Sequence, residues 1–121
     1  MTKRSPVVQS KEVFKVHAEF CKLFSSPIRL MLMWELGEKE KTVSQLAEAL
    51  EISVSNVSQH LRLMRGKNVV TTRRDGQQIY YRVANPHILD GYMQIRMAIV
   101  ELHNLNDATL SEANLSSRTG S

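Results

Sequence analysis

The side chains best suited to chemistry in this sequence lie between Ser53 and Arg65, and they suit hydrogen bonding to a polyanion. The segment is rich in hydroxyl and amide groups, ends with arginines and contains no acid. Such groups donate hydrogen bonds to phosphate oxygens and to base edges, and no carboxylate among them would repel a nucleic acid. The candidate contacts are Ser55, Asn56, Ser58, Gln59 and Arg62. Taken alone, the segment also fits an ordinary polar amphipathic helix.

Positive charge is concentrated around the same segment. The chain has 121 residues and a formal net charge of +4. Residues 53–83 hold six lysines and arginines against one acid, whereas the other 90 residues hold ten against eleven. A local basic patch on a nearly neutral body indicates a polyanionic partner.

Two helices joined by a tight turn are predicted to position these groups. Ser53 is a suitable N-cap, and Val57, Leu61 and Met64 then recur at helical spacing. A shorter helix precedes them, because Thr42 and Gln45 form a capping box ahead of a second apolar stripe. The pattern is a helix-turn-helix, whose second helix presents the polar face.

A two-stranded ribbon is predicted to follow, with Asn68 ending the helix in the left-handed conformation. Residues 69–73 and 78–83 have the composition of strands, and Asp75-Gly76 is a strong hairpin signal between them. A basic ribbon after a helix-turn-helix is a wing. Arg73, Arg74 and Gln77 near its tip are candidate contacts to a flanking nucleic-acid backbone.

The remaining helices supply the core and an interface. A nearly apolar helix should begin at Ser26-Pro27, end at Gly37 and fill the centre. Helices over about residues 9–24 and from Asn85-Pro86 onward have more apolar surface than one small domain buries, which favours pairing across a two-fold axis. We expect a mobile basic arm at 1–8, one domain at 9–105 and a flexible tail at 106–121.

Several classes of protein fit poorly. No apolar run reaches membrane-spanning length and the N-terminus lacks a signal peptide, so the expected location is the cytoplasm, with no membrane partner. The single cysteine excludes an internal disulfide. No glycine-rich phosphate loop or pairing of nucleophile and base is present, so neither an enzyme nor a cofactor is expected.

Three blocks of this sequence resemble the ArsR/SmtB family of small winged-helix repressors. They are the entry to the central helix at residues 23–30, the Val57-Ser58-Gln59-His60-Leu61 signature, and the wing at 73–76 with 80–82. The resemblance implies a mainly α fold with a small β-hairpin, dimerised through the first and last helices. It also implies a homodimer that binds a palindromic double-stranded DNA operator and is released by an inducer.

The family's metal sites are incomplete here. Thr42 and Ser44 stand where many members carry two cysteines, and neither is a soft ligand. The second site corresponds to Asn85, His87, Ala98 and Glu101. Only His87 and Glu101 match, a weak remnant that His103 would supplement only if the helix register differed. We therefore expect no metal site.

Cys21 is the remaining sensor candidate. It is interpreted either as a small buried hydrophobe or as a redox or electrophile sensor, with His17 and Lys22 near enough to favour the thiolate. His60 is expected to be structural. The hypothesis favoured is a dimeric repressor released by an unidentified signal. The alternatives are an anti-repressor or protein-interaction module without inducer and, less favoured, a metal-responsive repressor.

Overall fold

The computed structural model describes residues 10–103, except for the side chain of Glu38. The arm predicted at 1–8 and the tail predicted at 106–121 lie outside the described residues. The elements in chain order are α1 (Lys11–Cys21), a 3-10 turn (Lys22–Ser25), α2 (Pro27–Glu38), β1 (Lys41–Thr42), α3 (Val43–Leu50), α4 (Val54–Gly66), β2 (Val70–Asp75), β3 (Gln78–Val83) and α5 (Pro86–His103). The chain divides into two compact units, one ending at Asn85 and one beginning at Pro86.

Hydroxyl side chains fix where the first four helices begin. The Oγ atoms of Ser10, Ser26 and Ser53 each accept a hydrogen bond from the backbone N–H three residues later. Thr42 does the same for Gln45, whose side chain accepts from the Thr42 N–H in return and completes the predicted capping box. The predicted caps of α2, α3 and α4 are therefore confirmed.

Two helix ends differ from prediction. The helix expected to reach residue 24 ends at Cys21, and the chain continues as the 3-10 turn. The central helix continues past Gly37 to Glu38, and it stops because Lys39 is in an extended conformation. Both differences are small. Helix ends are the least certain part of a prediction, because the last residues of a helix depend on packing that the sequence pattern does not encode.

The wing belongs to a three-stranded antiparallel sheet of order β1-β3-β2, so the prediction of a two-stranded ribbon was wrong. Lys41 and Thr42, expected in a connection, pair with Tyr81 and Tyr80. Two residues are too few to show the alternating pattern of a strand. The hairpin itself is confirmed: Asp75 pairs with Gln78, and Gly76, with φ 64°, begins the two-residue turn.

The core lies where α2, α3 and α4 meet the base of the sheet. The predicted stripe of α4 is confirmed, because Val57, Leu61 and Met64 are at most 1% exposed. The other fully buried side chains are Leu32, Met33, Leu46, Val69 and Val70. Helix α2 is less enclosed than predicted, since Met31 and Trp34 on its outer side are exposed.

Candidate nucleic-acid interface

The turn between α3 and α4 sets the direction of the candidate reading helix. The N–H of Ile52 donates to the carbonyl of Ala47, and Glu51 adopts the left-handed conformation at φ 56°, ψ 42°. These features form a Schellman motif, which ends a helix and reverses the chain sharply. Ser53 then caps α4 two residues later. The two helices are thus joined by a turn whose geometry is specified by hydrogen bonds.

The outward face of α4 carries three of its five predicted contacts. With 3.6 residues per turn, Ser55, Gln59 and Arg62 project opposite the buried stripe, and all three are exposed. Asn56 and Ser58 are half-buried on the two flanks. The structure therefore divides the predicted set into a central group and two flanking residues.

His60 joins α4 to the central helix, in agreement with its expected structural role. Arg29 Nη1 lies 3.3 Å from His60 Nδ1, and Arg29 Nε donates to the carbonyl of Leu23 at 2.6 Å. Partial burial, aided by the Arg29 guanidinium, lowers the pKa of His60 below its ordinary value. A neutral imidazole can accept from Arg29, so the contact favours the uncharged form.

The wing places Arg74 and Gln77 at its exposed tip. Arg73, by contrast, is engaged within the protein. Its Nε lies 3.1 Å from both carboxylate oxygens of Glu40, and its guanidinium lies 4.7 Å from the centre of the Tyr80 ring. Hydrogen bonding to Arg73 lowers the pKa of Glu40. Arg73 therefore braces the wing against the segment before β1, an interaction that the sequence reasoning missed.

A cleft of about 540 Å³ lies between α4 and β3. Its lining residues are Ser58, Arg62, Arg65, Gly66 and Tyr81. Arg65 and Tyr81 were not among the predicted contacts, although Arg65 follows Arg62 at the three-residue spacing that places two side chains on one side of a helix. The cleft adjoins the outward face of α4 because Arg62 belongs to both.

Cys21 is exposed at the end of α1 in the single chain, so it does not belong to the core of one chain as its interpretation as a buried hydrophobe supposed. His17 is also exposed. The ammonium group of Lys22, expected to favour the thiolate, donates instead to Glu19 at 2.8 Å. The thiol is accessible in one chain, but the positive charge of Lys22 is paired with Glu19 and not with Cys21.

The metal-site remnant is spread along α5. His87 and Glu101 are fourteen residues apart near its two ends, a separation of roughly 21 Å at 1.5 Å per residue. One chain therefore cannot bring both to a single ion. Among the described residues, no three His, Cys, Asp or Glu side chains form a metal-binding group.

Comparison with known proteins identifies the family. Residues 26–72, which run from the cap of α2 into β2, match the model of the bacterial regulatory protein, arsR family. The chain is 37% identical over 90 residues to a transcriptional repressor SmtB homolog of Synechocystis, a match covering 74% of this chain and 68% of that protein. The chain belongs to the ArsR family.

Two further relatives bear on this ArsR-family chain. It is 30% identical over 83 residues to the transcriptional repressor SmtB of Mycobacterium tuberculosis, covering 69% of this chain but only 62% of that repressor. The crystal structure of NolR from Sinorhizobium fredii matches with a TM-score of 0.66 at 34% identity, covering 88% of this chain and all of NolR. The winged helix-turn-helix predicted from the sequence is confirmed.

In the part that the structure describes, no helix has the length and apolar character needed to cross a membrane.

Proposed function

We propose that this ArsR-family chain is a dimeric, sequence-specific DNA-binding repressor that acts on a palindromic operator. The observation that carries the proposal is the outward face of α4, which is acid-free and presents Ser55, Gln59 and Arg62 beside a basic wing. A helix of this width fits the major groove, where amide and guanidinium groups distinguish base pairs. Asn56 and Ser58 on its flanks, and Arg74 and Gln77 at the wing tip, would complete the contacts.

The proposed role of Arg73 is narrower than that of Arg74. Arg73 is already paired with Glu40, so it would reach a DNA backbone only by exchanging that partner. Arg74 forms no ion pair with any side chain that the structure describes. We therefore assign backbone contact at the wing chiefly to Arg74 and the support of the wing to Arg73.

Exposed apolar side chains on the first and last helices support the homodimer. On α1, Phe14 is 55% and Val16 68% exposed, and on α5 Ile95 is 64% and Leu102 80% exposed. Large apolar side chains exposed on two helices of one chain are expected where another surface packs against them. A second copy of the chain would cover it and place two copies of α4 on successive turns of a palindromic site.

Cys21 is the candidate residue through which a signal would release the repressor from DNA. In the single chain its thiol is exposed, as reaction with an oxidant or electrophile requires. The proposed function includes no enzymatic step, in keeping with the regulators to which the chain is related. A DNA-binding protein of a bacterial family would work in the cytoplasm, where the chromosome lies.

The test is a titration of the purified protein onto DNA from upstream of its own gene and onto random DNA, under reducing conditions. We expect tight, salt-dependent binding of one dimer to the upstream DNA and much weaker binding to random DNA. Equal affinity for the two would contradict the proposal, and no binding to either would favour a protein-interaction module.

A parallel series tests release. The titration is repeated with a chelator, with zinc and after mild oxidation, for the wild type and for Cys21→Ser. Loss of binding that occurs in the oxidised wild type but not in Cys21→Ser would identify the sensor. Loss of binding with zinc in both proteins would instead indicate a metal-responsive repressor.

A further inference from the structure

The cleft between α4 and β3 has the chemistry of an anion site. Two arginines from successive turns of α4 line it, together with the hydroxyl-bearing side chains of Ser58 and Tyr81. Ser58 and Tyr81 are half-buried, whereas both arginines are exposed. The lining contains no carboxylate, so every charge that faces the cleft is positive.

Neither arginine of the cleft has an acid partner among the described side chains. Lys22, Lys41 and Arg73 form ion pairs with Glu19, Glu35 and Glu40 respectively. No described acid forms an ion pair with Arg62 or Arg65. Two unneutralised guanidinium groups at one cleft favour an external anion, because an arginine fork matches the oxygens of a phosphate.

The shape of the cleft favours a phosphate on a chain over a small organic ligand. Small-molecule pockets are enclosed and mostly apolar, whereas four of the five residues that line this cleft carry hydroxyl or guanidinium groups. Gly66 stands at its edge without a side chain, and a Cβ placed there would meet no atom within 4 Å. The cleft is therefore open to solvent at the Gly66 edge, where a polymer backbone would approach.

We propose that this cleft seats one phosphate of the DNA backbone, held by Arg62 and Arg65 with the hydroxyl groups of Ser58 and Tyr81. The inference rests on the proposed function and adds an interaction on the wing side of α4. Arg62 links the two surfaces, so a strand lying along the outward face of α4 would enter the cleft directly. The seat fixes the register of α4 in the groove but carries no sequence information.

Removal of one arginine tests the seat. Arg65→Gln is expected to weaken operator binding about 10- to 150-fold, the effect of removing a charge-assisted hydrogen bond. It should also make the negative slope of log affinity against log salt shallower, by about 0.9 for each phosphate that is no longer neutralised. The matched control is Lys11→Gln, which removes one charge from the exposed start of α1. Equal effects of the two variants would overturn the inference.

A second pair of variants leaves both arginines in place. Gly66→Glu puts a carboxylate at the mouth of the cleft, and Gly66→Ala adds only the methyl group that the structure accommodates. We expect Gly66→Glu to bind the operator at least ten-fold more weakly than Gly66→Ala, because like charges repel. Equal binding by the two variants would contradict a seated phosphate.

Neutral methylphosphonate substitutions, placed one at a time along the operator, identify the phosphate. At the seated position, the substitution should weaken wild-type binding but have little further effect on Arg65→Gln, because that variant already lacks the interaction. Additive effects at every position would overturn the inference while leaving operator binding by the wild type intact. Failure of the wild type to prefer the operator would instead count against the proposed function.

Inorganic phosphate distinguishes the DNA backbone from a free anion. Titrated into the DNA-free protein, it should shift the Nε–H resonances of Arg62 and Arg65 only at millimolar concentrations and should compete with DNA. Saturation at micromolar phosphate, without methylphosphonate coupling, would assign the cleft to a free anion and overturn the inference.

Discussion

The left-handed backbone at Glu51 makes a quantitative prediction about the turn before the reading helix. Its φ of 56° and ψ of 42° lie in a region that costs a residue with a Cβ about 1–2 kcal/mol. Glycine avoids this cost, but its greater conformational freedom in the unfolded chain destabilises the folded protein by about 0.5–1 kcal/mol. Glu51→Gly should therefore raise the free energy of unfolding by about 0.5–1 kcal/mol. Its melting temperature should rise by about 2–4 °C.

Urea unfolding of three proteins measures the effect. Glu51→Ala is the matched control, because it removes the same carboxylate but keeps the Cβ and therefore the strain. We expect its stability to stay within about 0.5 kcal/mol of wild type, as for most exposed substitutions. Both variants remove an acid beside α4, so any gain in DNA affinity should be the same in each.

The comparison separates backbone strain from charge. If Glu51→Ala stabilises the protein as much as Glu51→Gly, the gain comes from removal of the carboxylate. The reasoning from φ would then be refuted. A decrease in stability for Glu51→Gly would refute it equally, since it would show that the side chain contributes more than the strain costs.

Other parts of the structure give four more expected outcomes. Ser53→Ala should cost about 1 kcal/mol in urea unfolding, because the N-terminal turn of α4 loses its cap, and unchanged stability would contradict that role. Leu61→Ala should cost about 2–5 kcal/mol in the same assay, because its side chain is fully buried; a decrease below about 1 kcal/mol would show that the site is poorly packed. Glu40→Gln and Arg73→Ala should speed amide exchange in β2 and β3 to a similar degree, whereas an unaffected wing would show that the pair does not brace it. Since the pKa of His60 lies below its ordinary 6.5, the unfolded chain takes up that proton first, and stability should fall as pH drops below about 6.5 toward the folded-state pKa. His60→Gln should remove that part of the pH profile, and an unchanged profile would show that this histidine is not linked to folding.

Local chemistry made much of the fold predictable. The caps at Ser53 and Thr42 act through residues three positions away, so a short stretch of sequence contains both partners. The same holds for Asn68, whose φ of 61° ends α4 as predicted, and for Gly76 in the hairpin turn. These features depend on residue type and spacing, which are visible without tertiary contacts.

Contacts between distant residues were not predictable in this way. Arg73 was expected to contact a nucleic-acid backbone, but its carboxylate partner Glu40 is 33 residues earlier in the chain. The pairing of Lys41 with Tyr81 has the same origin, because a two-residue strand acquires its identity only from its neighbour. Cys21 illustrates a third limit, since the apolar stripe that suggested burial lies on a helix with no buried residue in the single chain.

Sequence discrimination by α4 is the central claim, and the operator-to-random affinity ratio measures it most directly. The ratio is determined for wild type, Gln59→Ala and Arg74→Ala at one salt concentration. We predict that Gln59→Ala lowers the ratio by a factor that corresponds to about 1–3 kcal/mol of discrimination free energy. The reason is that it removes a hydrogen-bonding group that reads a base edge. Arg74→Ala should weaken binding to both DNAs alike and leave the ratio unchanged. An unchanged ratio in Gln59→Ala, or equal effects of the two substitutions, would contradict base reading by the outward face of α4.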